Sequence, residues 1–370
     1  MSEVSEAYIV AGMRSPIGRR ITLSAKDLSL QVLNQLFQRN SIDPKVVDFF
    51  AVGSTISLKT PDQAQHKAIS YGAGMVRADS EQVEKACSSA LVACYRAAQS
   101  IWYEGADFAV GGGVDIMSQD PEAAKRALAC PISGKMMYKL ADEFADYNGV
   151  SREAHAAYSK ESYRLSEKYL YDTGPRAVIK METGMKPEHF LVHDELAEKY
   201  KNMDFDRGGK PIKDCKVISF ASSSKPADGA GFILFASERA VLEYDLKPQS
   251  KFVAFGRSCG PDPKNFVAEP LNAINNVLFR ANKTLDEVDY FLLNEAFATS
   301  PLYFMRYNGI PRTRINPRGG AIARGHPLGM SGARLVIEAD HIIKQENKNL
   351  IAVSLCNAPG EATAALIGRA

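Results

Sequence analysis

The sequence has little of what marks several large classes of protein. Its 370 residues contain no apolar run long enough to cross a bilayer, and the first residues lack a signal peptide's basic start and apolar core. Six cysteines form no CxxC pair and no short disulfide framework, which fits a reducing compartment. The net charge is +2 and well mixed, so no nucleic-acid-binding stripe is expected. We therefore expect a cytoplasmic protein that acts on a small molecule and binds neither nucleic acid nor membrane.

What the chain does have is an internal repeat. Its 45% hydrophobic content can bury one large or two medium cores. The segments around Asp48 and Asp289 both follow the order helix, polar turn, apolar strand, and lie 241 residues apart. The same offset from Cys87 falls at Leu328, inside a turn that also precedes a small-residue helix. Two further pairs of candidate strands match in the same order: 7–12 with 251–256, and 229–235 with 360–367.

The alternation of strands with helices predicts an α/β fold with mostly parallel, buried sheets. We expect the two halves to form similar layers, whose central helices at 88–101 and 330–343 pack together between the sheets. The expected domains are an N-terminal half, an inserted loop domain and a C-terminal half, at 1–118 plus 225–245, at 119–224 and at 246–370, respectively.

The insertion is richer in charge and glycine than the two halves. A long helix is predicted in it, from an N-cap at Ser151 to about Tyr169. We interpret the insertion as a lid over the site; the alternative is a solvated segment with no ligand role. His189 and His193 lie four residues apart beside Asp194, but no third ligand is in sight, so no metal site is expected.

Two residues at helix starts are candidates for a nucleophile and its base. Cys87 precedes an apolar helix, where unpaired N–H groups and the helix dipole lower the pKa of a thiol. His326 stands at the matching helix start of the other half, so a pseudo-twofold axis would bring the two turns face to face. Cys356 is a second, late cysteine. The alternative for Cys87 alone is a core thiol, but the repeat favours the catalytic interpretation.

These segments carry a family resemblance. Four of them resemble the catalytic loops of thiolases: Cys87-Ser88-Ser89, Asn294-Glu295-Ala296-Phe297, Gly325-His326-Pro327 and Cys356-Asn357-Ala358. The resemblance covers nearly the whole chain in order. It implies the thiolase fold, with two duplicated βαβαβαββ halves in a layered α/β sandwich and an inserted loop domain. It also implies CoA-dependent thiolysis, or the reverse condensation, of a 3-oxoacyl-CoA.

The resemblance implies roles for single residues. Cys87 would attack the 3-keto carbon and carry the acyl group as a thioester, while His326 accepts its proton and helps to hold an oxyanion. Asn294 would position a water at that oxyanion site, and Cys356 would be the acid or base for the acetyl-CoA-type enolate. Backbone N–H groups of Cys87 and Ala358 would form the other oxyanion site.

The resemblance also indicates how coenzyme A is used, and where this chain departs from the family. Ser224 matches the position that contacts the pantetheine arm, with CoA as co-substrate and neither a bound cofactor nor a metal. The late loop departs from C-x-G-G-G at Pro359 and Glu361, and Lys225-Pro226 replaces a glycine and an apolar residue. The insertion is shorter than in biosynthetic thiolases, which favours a homodimer or a different partner on that face.

Two arginines beside the histidine loop are unusual for the family. Arg318 stands where an asparagine is common and Arg324 where a small or apolar residue is common. A guanidinium there could bind a carboxylate on the acyl group, as in 3-oxoadipyl-CoA or benzoylsuccinyl-CoA. Benzoylsuccinyl-CoA thiolases are associated with a small zinc/OB-fold accessory subunit, which makes such a subunit a candidate partner. The alternative is that Arg324 faces solvent or pairs with an acid of a second protomer.

Two other functions share parts of this pattern. A decarboxylative condensing enzyme of the ketoacyl-synthase type has the fold and the cysteine, but uses a histidine pair, or His and Asn, without a partner like Cys356. A catalytically silent thiolase-like scaffold would only hold a partner, and the intact Cys87, Asn294 and His326 argue against it. The sequence therefore predicts a thiolase-type acyltransferase.

Overall fold

The structure is a computed structural model that describes residues 5–58, 64–170, 177–184 and 190–370. The helices of the two halves are α1 (Ala25–Asn40), α2 (Gln65–Gly72), α3 (Ser89–Glu104), α9 (Glu238–Glu243), α10 (Glu269–Arg280), α11 (Thr299–Asn308), α12 (Ala321–Arg324) and α13 (Ser331–Glu346). Those of the insertion are α4 (Pro121–Ala127), α5 (Met137–Tyr147), α6 (Arg152–Lys168), α7 (Glu195–Lys199) and α8 (Phe205–Gly208).

The strands form one large sheet and one small hairpin. They are β1 (Ala7–Arg14), β2 (Phe49–Gly53), β3 (Asp79–Val83), β4 (Phe108–Ile116), β5 (Met181–Glu182), β6 (Phe190–Leu191), β7 (Asp228–Ala236), β8 (Ser250–Cys259), β9 (Tyr290–Leu293), β10 (Leu350–Asn357) and β11 (Glu361–Arg369). The nine-stranded sheet has the order β3-β2-β4-β7-β1-β8-β11-β10-β9. Its first five strands come from the N-terminal half and its last four from the C-terminal half.

The predicted repeat is confirmed element by element. The α1–β2 unit has its counterpart in α10–β9, β1 in β8, and β7 in β11. The halves are joined where β1 pairs antiparallel with β8. In the second half, the position of β3 is taken by a single bridge between Ile315 and Phe291.

The two central helices lie in the core shared by both halves of the sheet. Side chains of α3 and α13 pack in one cluster with strand residues of the first half, such as Phe235, and of the second half, such as Val353. Small residues let the helices approach closely: a Cβ on Gly332, near the start of α13, would lie 2.3 Å from the backbone nitrogen of Leu91. The predicted packing of the two central helices against strands of both halves is confirmed, but these strands belong to one continuous sheet rather than to two.

The glycines of β4 serve packing. A Cβ on Gly113 would lie 2.1 Å from the carbonyl oxygen of Gly329, and one on Gly111 would lie 2.7 Å from that of Ala93 in α3. Strand β4 is buried along its whole length. Gly113 therefore lets the turn before α13 lie directly on the strand, and Gly111 does the same for α3.

The insertion is a folded layer tied to the second half of the chain. Ser151 caps α6 as predicted, because its side chain accepts a hydrogen bond from the N–H of Ala154. Further along α6, His155 contacts the Thr299 hydroxyl through Nε2 at 2.9 Å. Among the described residues, no helix has the length and apolar character needed to cross a membrane.

Substitution Gly332→Ala tests the helix contact. The new methyl group would overlap the backbone of Leu91, so we expect a loss of about 2–3 kcal/mol in the free energy of unfolding. The measurement is equilibrium denaturation in urea. Gly72→Ala is the matched control: it is also a helical glycine, but its nearest neighbour is the flexible end of Leu30 at 3.2 Å. Equal stability of both variants would contradict close packing of α3 on α13.

Candidate active site

The predicted catalytic loops meet at one cavity of about 220 Å³. Cys87, His326 and Cys356 line it, although they lie far apart in the chain. Ser224 and Ala358 line it as well. The insertion covers it through residues of 127–138 and 212–224. The apolar lining residues include Met117, Leu128, Met136, Met137, Ile212, Phe220, Phe266, Phe297 and Leu328.

Cys87 lies in a short 3-10 turn between β3 and α3. The preceding Ala86 has φ +47°, a left-handed conformation that is strained for a residue with a side chain. Ser89 stabilises the turn, since its hydroxyl accepts from the N–H of Lys85 at 2.8 Å and donates to the carbonyl of Ala86 at 2.7 Å. Thr55 donates to the same carbonyl at 3.1 Å. The turn is therefore held from two sides.

The expected low pKa of the Cys87 thiol is wrong for the free protein. Burial raises its pKa far above the ordinary value, and the nearby Cys356 and Asp115 raise it further. The backbone N–H at the turn lowers it, but by less than burial raises it. At neutral pH, Cys87 is a thiol that needs a base to become a nucleophile.

His326 is buried and oriented as a neutral base. Its Nδ1 lies 2.6 Å from the Ser331 hydroxyl, which itself donates to the carbonyl of Pro327 at 2.7 Å. The hydroxyl must therefore accept from Nδ1–H, and Nε2 carries the lone pair. Burial, reinforced by the positive charge of Arg334, lowers the pKa of His326 to about 3.

Asn294 lies behind the imidazole rather than on the cavity wall. Its Nδ2 is 3.2 Å from Nε2 of His326, and it is 2% exposed. Its Oδ1 has no hydrogen-bond partner within the part of the chain that the structure describes. The amide thus contacts the base directly and keeps one acceptor free.

The late cysteine stands at the end of β10. Cys356 is buried, and burial raises the pKa of its thiol to about 12. Ala358 lies in the turn between β10 and β11. The departure at Glu361 now has a structural explanation, because its carboxylate forms an ion pair with Lys85, two residues before Cys87.

Two buried carboxylates that sequence reasoning missed as functional hold these loops in place. Asp115, at the end of β4, accepts from the N–H of Gly329 at 2.6 Å and from the N–H of Ile56 at 3.0 Å. Glu295 accepts from Tyr158 at 2.8 Å and from Asn316 at 3.0 Å. Acidic residues inside otherwise apolar segments were the available signal, since a buried carboxylate requires partners.

Lys225, noted only as a departure, is a buried part of the site. Its Nζ donates to the Tyr163 hydroxyl at 2.5 Å and to the carbonyl oxygens of Ser223 at 2.9 Å and Ile322 at 3.1 Å. The rings of Tyr163, Tyr200 and Phe220 surround it, with centroids 4.5–5.5 Å away. Burial lowers the pKa of Lys225 to about 7.

The predicted carboxylate-binding arginines do not reach the cavity. Arg324 donates to Asp194 at 3.0 Å and to the carbonyl of Arg318 at 2.9 Å. Arg318 pairs with Glu346 at 2.8 Å. Both are buried, and neither lines the cavity of Cys87. The prediction that Arg324 binds a substrate carboxylate fails because its guanidinium group already pairs with Asp194, which lies 130 residues earlier in the chain.

In the described ranges, no group of three His, Cys, Asp or Glu side chains is arranged to hold a metal ion. His189, the first residue of the pair considered above, lies outside those ranges, and the neighbouring Asp194 is engaged by Arg14 at 2.6 Å.

Comparison with known proteins agrees with this geometry. The model of the thiolase N-terminal domain matches residues 7–131, and that of the thiolase C-terminal domain matches residues 246–369. The proposed limits of the insertion, 119 and 224, stay a prediction.

Relatives and solved structures match over the whole length. A 3-oxoadipyl-CoA/3-oxo-5,6-dehydrosuberyl-CoA thiolase of Escherichia coli is 29% identical, over 98% of this chain and 99% of its own. A cytosolic acetyl-CoA acetyltransferase of Gibberella zeae is 27% identical, over 99% of each chain. A thiolase of Ascaris suum in complex with coenzyme A superposes with a TM-score of 0.89 at 27% identity, covering 99% and 100%. The chain belongs to the thiolase family and is an acyltransferase.

Proposed function

We propose that this protein catalyses CoA-dependent thiolysis of a 3-oxoacyl-CoA, or the reverse condensation, through an acyl thioester on Cys87. The observation that carries the proposal is the meeting of Cys87, His326 and Cys356 at one enclosed, mostly apolar cavity. Two thiols and a neutral imidazole match the needs of this chemistry: one thiol to hold the acyl group, the imidazole to take its proton, and the other thiol to exchange a proton with the enolate.

Proton transfer and attack occur together in this scheme. The thiol of Cys87 and the imidazole of His326 are both neutral at pH 7, since burial disfavours their charged forms. An ion pair at rest is therefore unfavourable. The proton passes to Nε2, where it replaces the hydrogen bond from the Asn294 amide, as sulfur bonds to the 3-keto carbon. The charge that develops on the carbonyl oxygen compensates for the new imidazolium.

Two sites stabilise the negative oxygen atoms of the reaction. Backbone N–H groups of Cys87 and Ala358, which both line the cavity, form one of them. His326 and a water held by Asn294 form the other, and the unpartnered Oδ1 of Asn294 supplies an acceptor for that water. In a cavity with few polar atoms, such donors act with little screening.

Cys356 acts as the second acid and base. Its pKa of about 12 keeps the thiol protonated, ready to protonate the enolate released when the carbon–carbon bond breaks. Its place on the cavity wall favours a thiolase over a decarboxylative condensing enzyme of the ketoacyl-synthase type. The assembled set of side chains argues equally against a silent scaffold.

Coenzyme A enters as a co-substrate, and no bound cofactor is part of the scheme. Ser224 lies on the cavity wall, where it would contact the pantetheine arm. Support comes from the Ascaris suum thiolase, whose structure contains coenzyme A and whose fold superposes closely on this chain.

For the acyl group, the cavity favours an apolar chain. Among the described residues, Lys225 is the only lysine or arginine on its wall, and its three N–H donors are already bonded. A free carboxylate would be buried without a partner. One observation favours a substrate that bears a carboxylate: a relative at 29% identity is named a 3-oxoadipyl-CoA/3-oxo-5,6-dehydrosuberyl-CoA thiolase. Benzoylsuccinyl-CoA has no such relative among those described above.

We further propose a homodimer in the cytoplasm. The sheet ends at β3, and no strand among the described residues pairs with its outer side. A second copy of β3 could extend the sheet there, directly before the Cys87 turn. A small zinc/OB-fold accessory subunit would be required only if benzoylsuccinyl-CoA is the substrate.

Substitution Cys87→Ser tests the acyl carrier. We expect a loss of about 10³-fold or more in kcat, because a hydroxyl is far less nucleophilic than a thiol beside the same base. Incubation of the wild type with acetoacetyl-CoA should leave an acetyl group on Cys87, detected by peptide mass spectrometry. The control is Cys259→Ser at an exposed thiol. Full turnover by the Cys87 variant would exclude the mechanism.

The pH dependence of alkylation tests the protonation state. Because the pKa of Cys87 is raised, the thiolate fraction should increase about tenfold for each pH unit from pH 6 to 9, without a plateau. Iodoacetamide labelling of the Cys87 peptide, followed by mass spectrometry, measures this rate. A rate that is independent of pH near neutrality would instead reveal a thiolate–imidazolium pair at rest.

A CoA-dependent cleavage assay across three substrates tests the acyl group. We expect acetoacetyl-CoA to be cleaved at least about tenfold more efficiently than 3-oxoadipyl-CoA or benzoylsuccinyl-CoA, since their carboxylates would lose hydration in an apolar cavity. The readout is kcat/KM for each. A preference for either carboxylated substrate would contradict the apolar assignment while leaving the thioester chemistry intact.

A further inference from the structure

A second cavity, of about 20 Å³, lies among four buried arginines. Arg14, Arg318, Arg324 and Arg334 line it, and each is at most 4% exposed. It shares no lining residue with the cavity of Cys87. A substrate in the catalytic cavity therefore does not reach these guanidinium groups.

In the part of the chain that the structure describes, the ion pairs around this cavity contain one more arginine than carboxylates. Asp194 pairs with both Arg14 and Arg324, at 2.6 and 3.0 Å. Glu346 pairs with Arg318, and Glu338 pairs with Arg334 at 2.9 Å. Guanidinium groups stay charged in proteins, so the four positive charges on this wall form ion pairs with only three carboxylates of the described residues. His341 also lines the cavity and adds no negative charge.

Several donors at this place are unused. The Nε atoms of Arg318, Arg324 and Arg334, and Nη2 of Arg334, find no hydrogen-bond partner in the described residues. One acceptor, Oε1 of Glu338, is unused too. Buried guanidinium N–H groups without acceptors are costly, so the cavity favours an occupant that accepts several hydrogen bonds.

We propose that this cavity binds one small monovalent anion of the size of chloride. The volume suits a single water-sized particle, which excludes phosphate or an acyl carboxylate. A water could accept some of the hydrogen bonds, but it would leave the excess positive charge in place. An anion satisfies the unused donors and balances the charge at once.

The site borders the catalytic turn. Arg324 precedes His326 by two residues, and Arg334 follows it on α13. An anion that contacts both arginines connects the two ends of the segment that carries the base. Occupancy should therefore stabilise the fold locally without any contact to the acyl group.

Crystals grown in sodium bromide give the direct test. We expect an anomalous difference peak of bromide inside the cavity, within hydrogen-bond distance of Arg334. A peak without anomalous signal would identify a water and overturn the proposal. So would bromide found only at the protein surface.

The melting temperature supplies the test in solution. At constant ionic strength, replacing gluconate by chloride at about ten times the dissociation constant should raise the Tm by about 2 °C. Arg318→Gln removes the excess charge and should abolish this rise. Glu338→Gln adds to the excess and should lower the chloride dissociation constant about tenfold.

The control is Arg239→Gln, which removes an exposed ion pair with Asp107 and should keep the full chloride effect. If Arg318→Gln does not fold, Glu338→Gln still tests the proposal, because this variant is expected to bind chloride more tightly than the wild type. Equal melting temperatures of the wild type in chloride and gluconate would overturn the proposal. Because none of these readouts uses substrate, their failure would be distinct from a failure of thiolysis.

Discussion

The contact of α3 with α13 is the constraint on which the rest of the structure depends. The backbone of Leu91 lies directly on Gly332, so the starts of the two helices cannot be far apart. Cys87 lies in the turn before one helix and His326 lies in the turn before the other. Both turns then open on the same cavity. A duplicated half-fold thus produces an asymmetric site, because each half contributes a different side chain at the equivalent place.

Burial at this contact determines the chemistry available. It disfavours the thiolate of Cys87 and the imidazolium of His326, which leaves both groups neutral. The same low polarity strengthens every N–H that points at a developing oxyanion. In the free protein, this thiol and this imidazole therefore carry little charge.

Much of this could be predicted from the sequence, because periodicity and residue type carry information about local structure. The offset between Cys87 and Leu328 indicated that the two helix starts are equivalent, and the late cysteine pointed to a third group. Strand β3 escaped detection since four of its five residues are polar. The direction of the Cys87 pKa shift was wrong because the sequence shows a helix start but not the depth of its burial.

Contacts between residues that lie far apart in the chain could not be predicted from the sequence either. Nothing near Arg324 in the chain indicates that Asp194 accepts its guanidinium, because the two residues lie 130 positions apart. The aromatic rings around Lys225 come from two segments of the insertion and from the chain just before the lysine itself. Only the folded structure brings such groups together. The sequence therefore showed that Arg324 and Lys225 depart from the family pattern, but it did not show what these side chains contact.

Lys225 has a consequence of its own. Its backbone carbonyl accepts from the N–H of His326 at 2.8 Å, while its ammonium contacts Tyr163 on α6 and the carbonyl of Ile322 on α12. His326 and α6 of the insertion are thus connected through the backbone and the side chain of one residue. A displacement of α6 would therefore reach the segment of His326 through a single side chain, so the position of the imidazole depends on the position of α6.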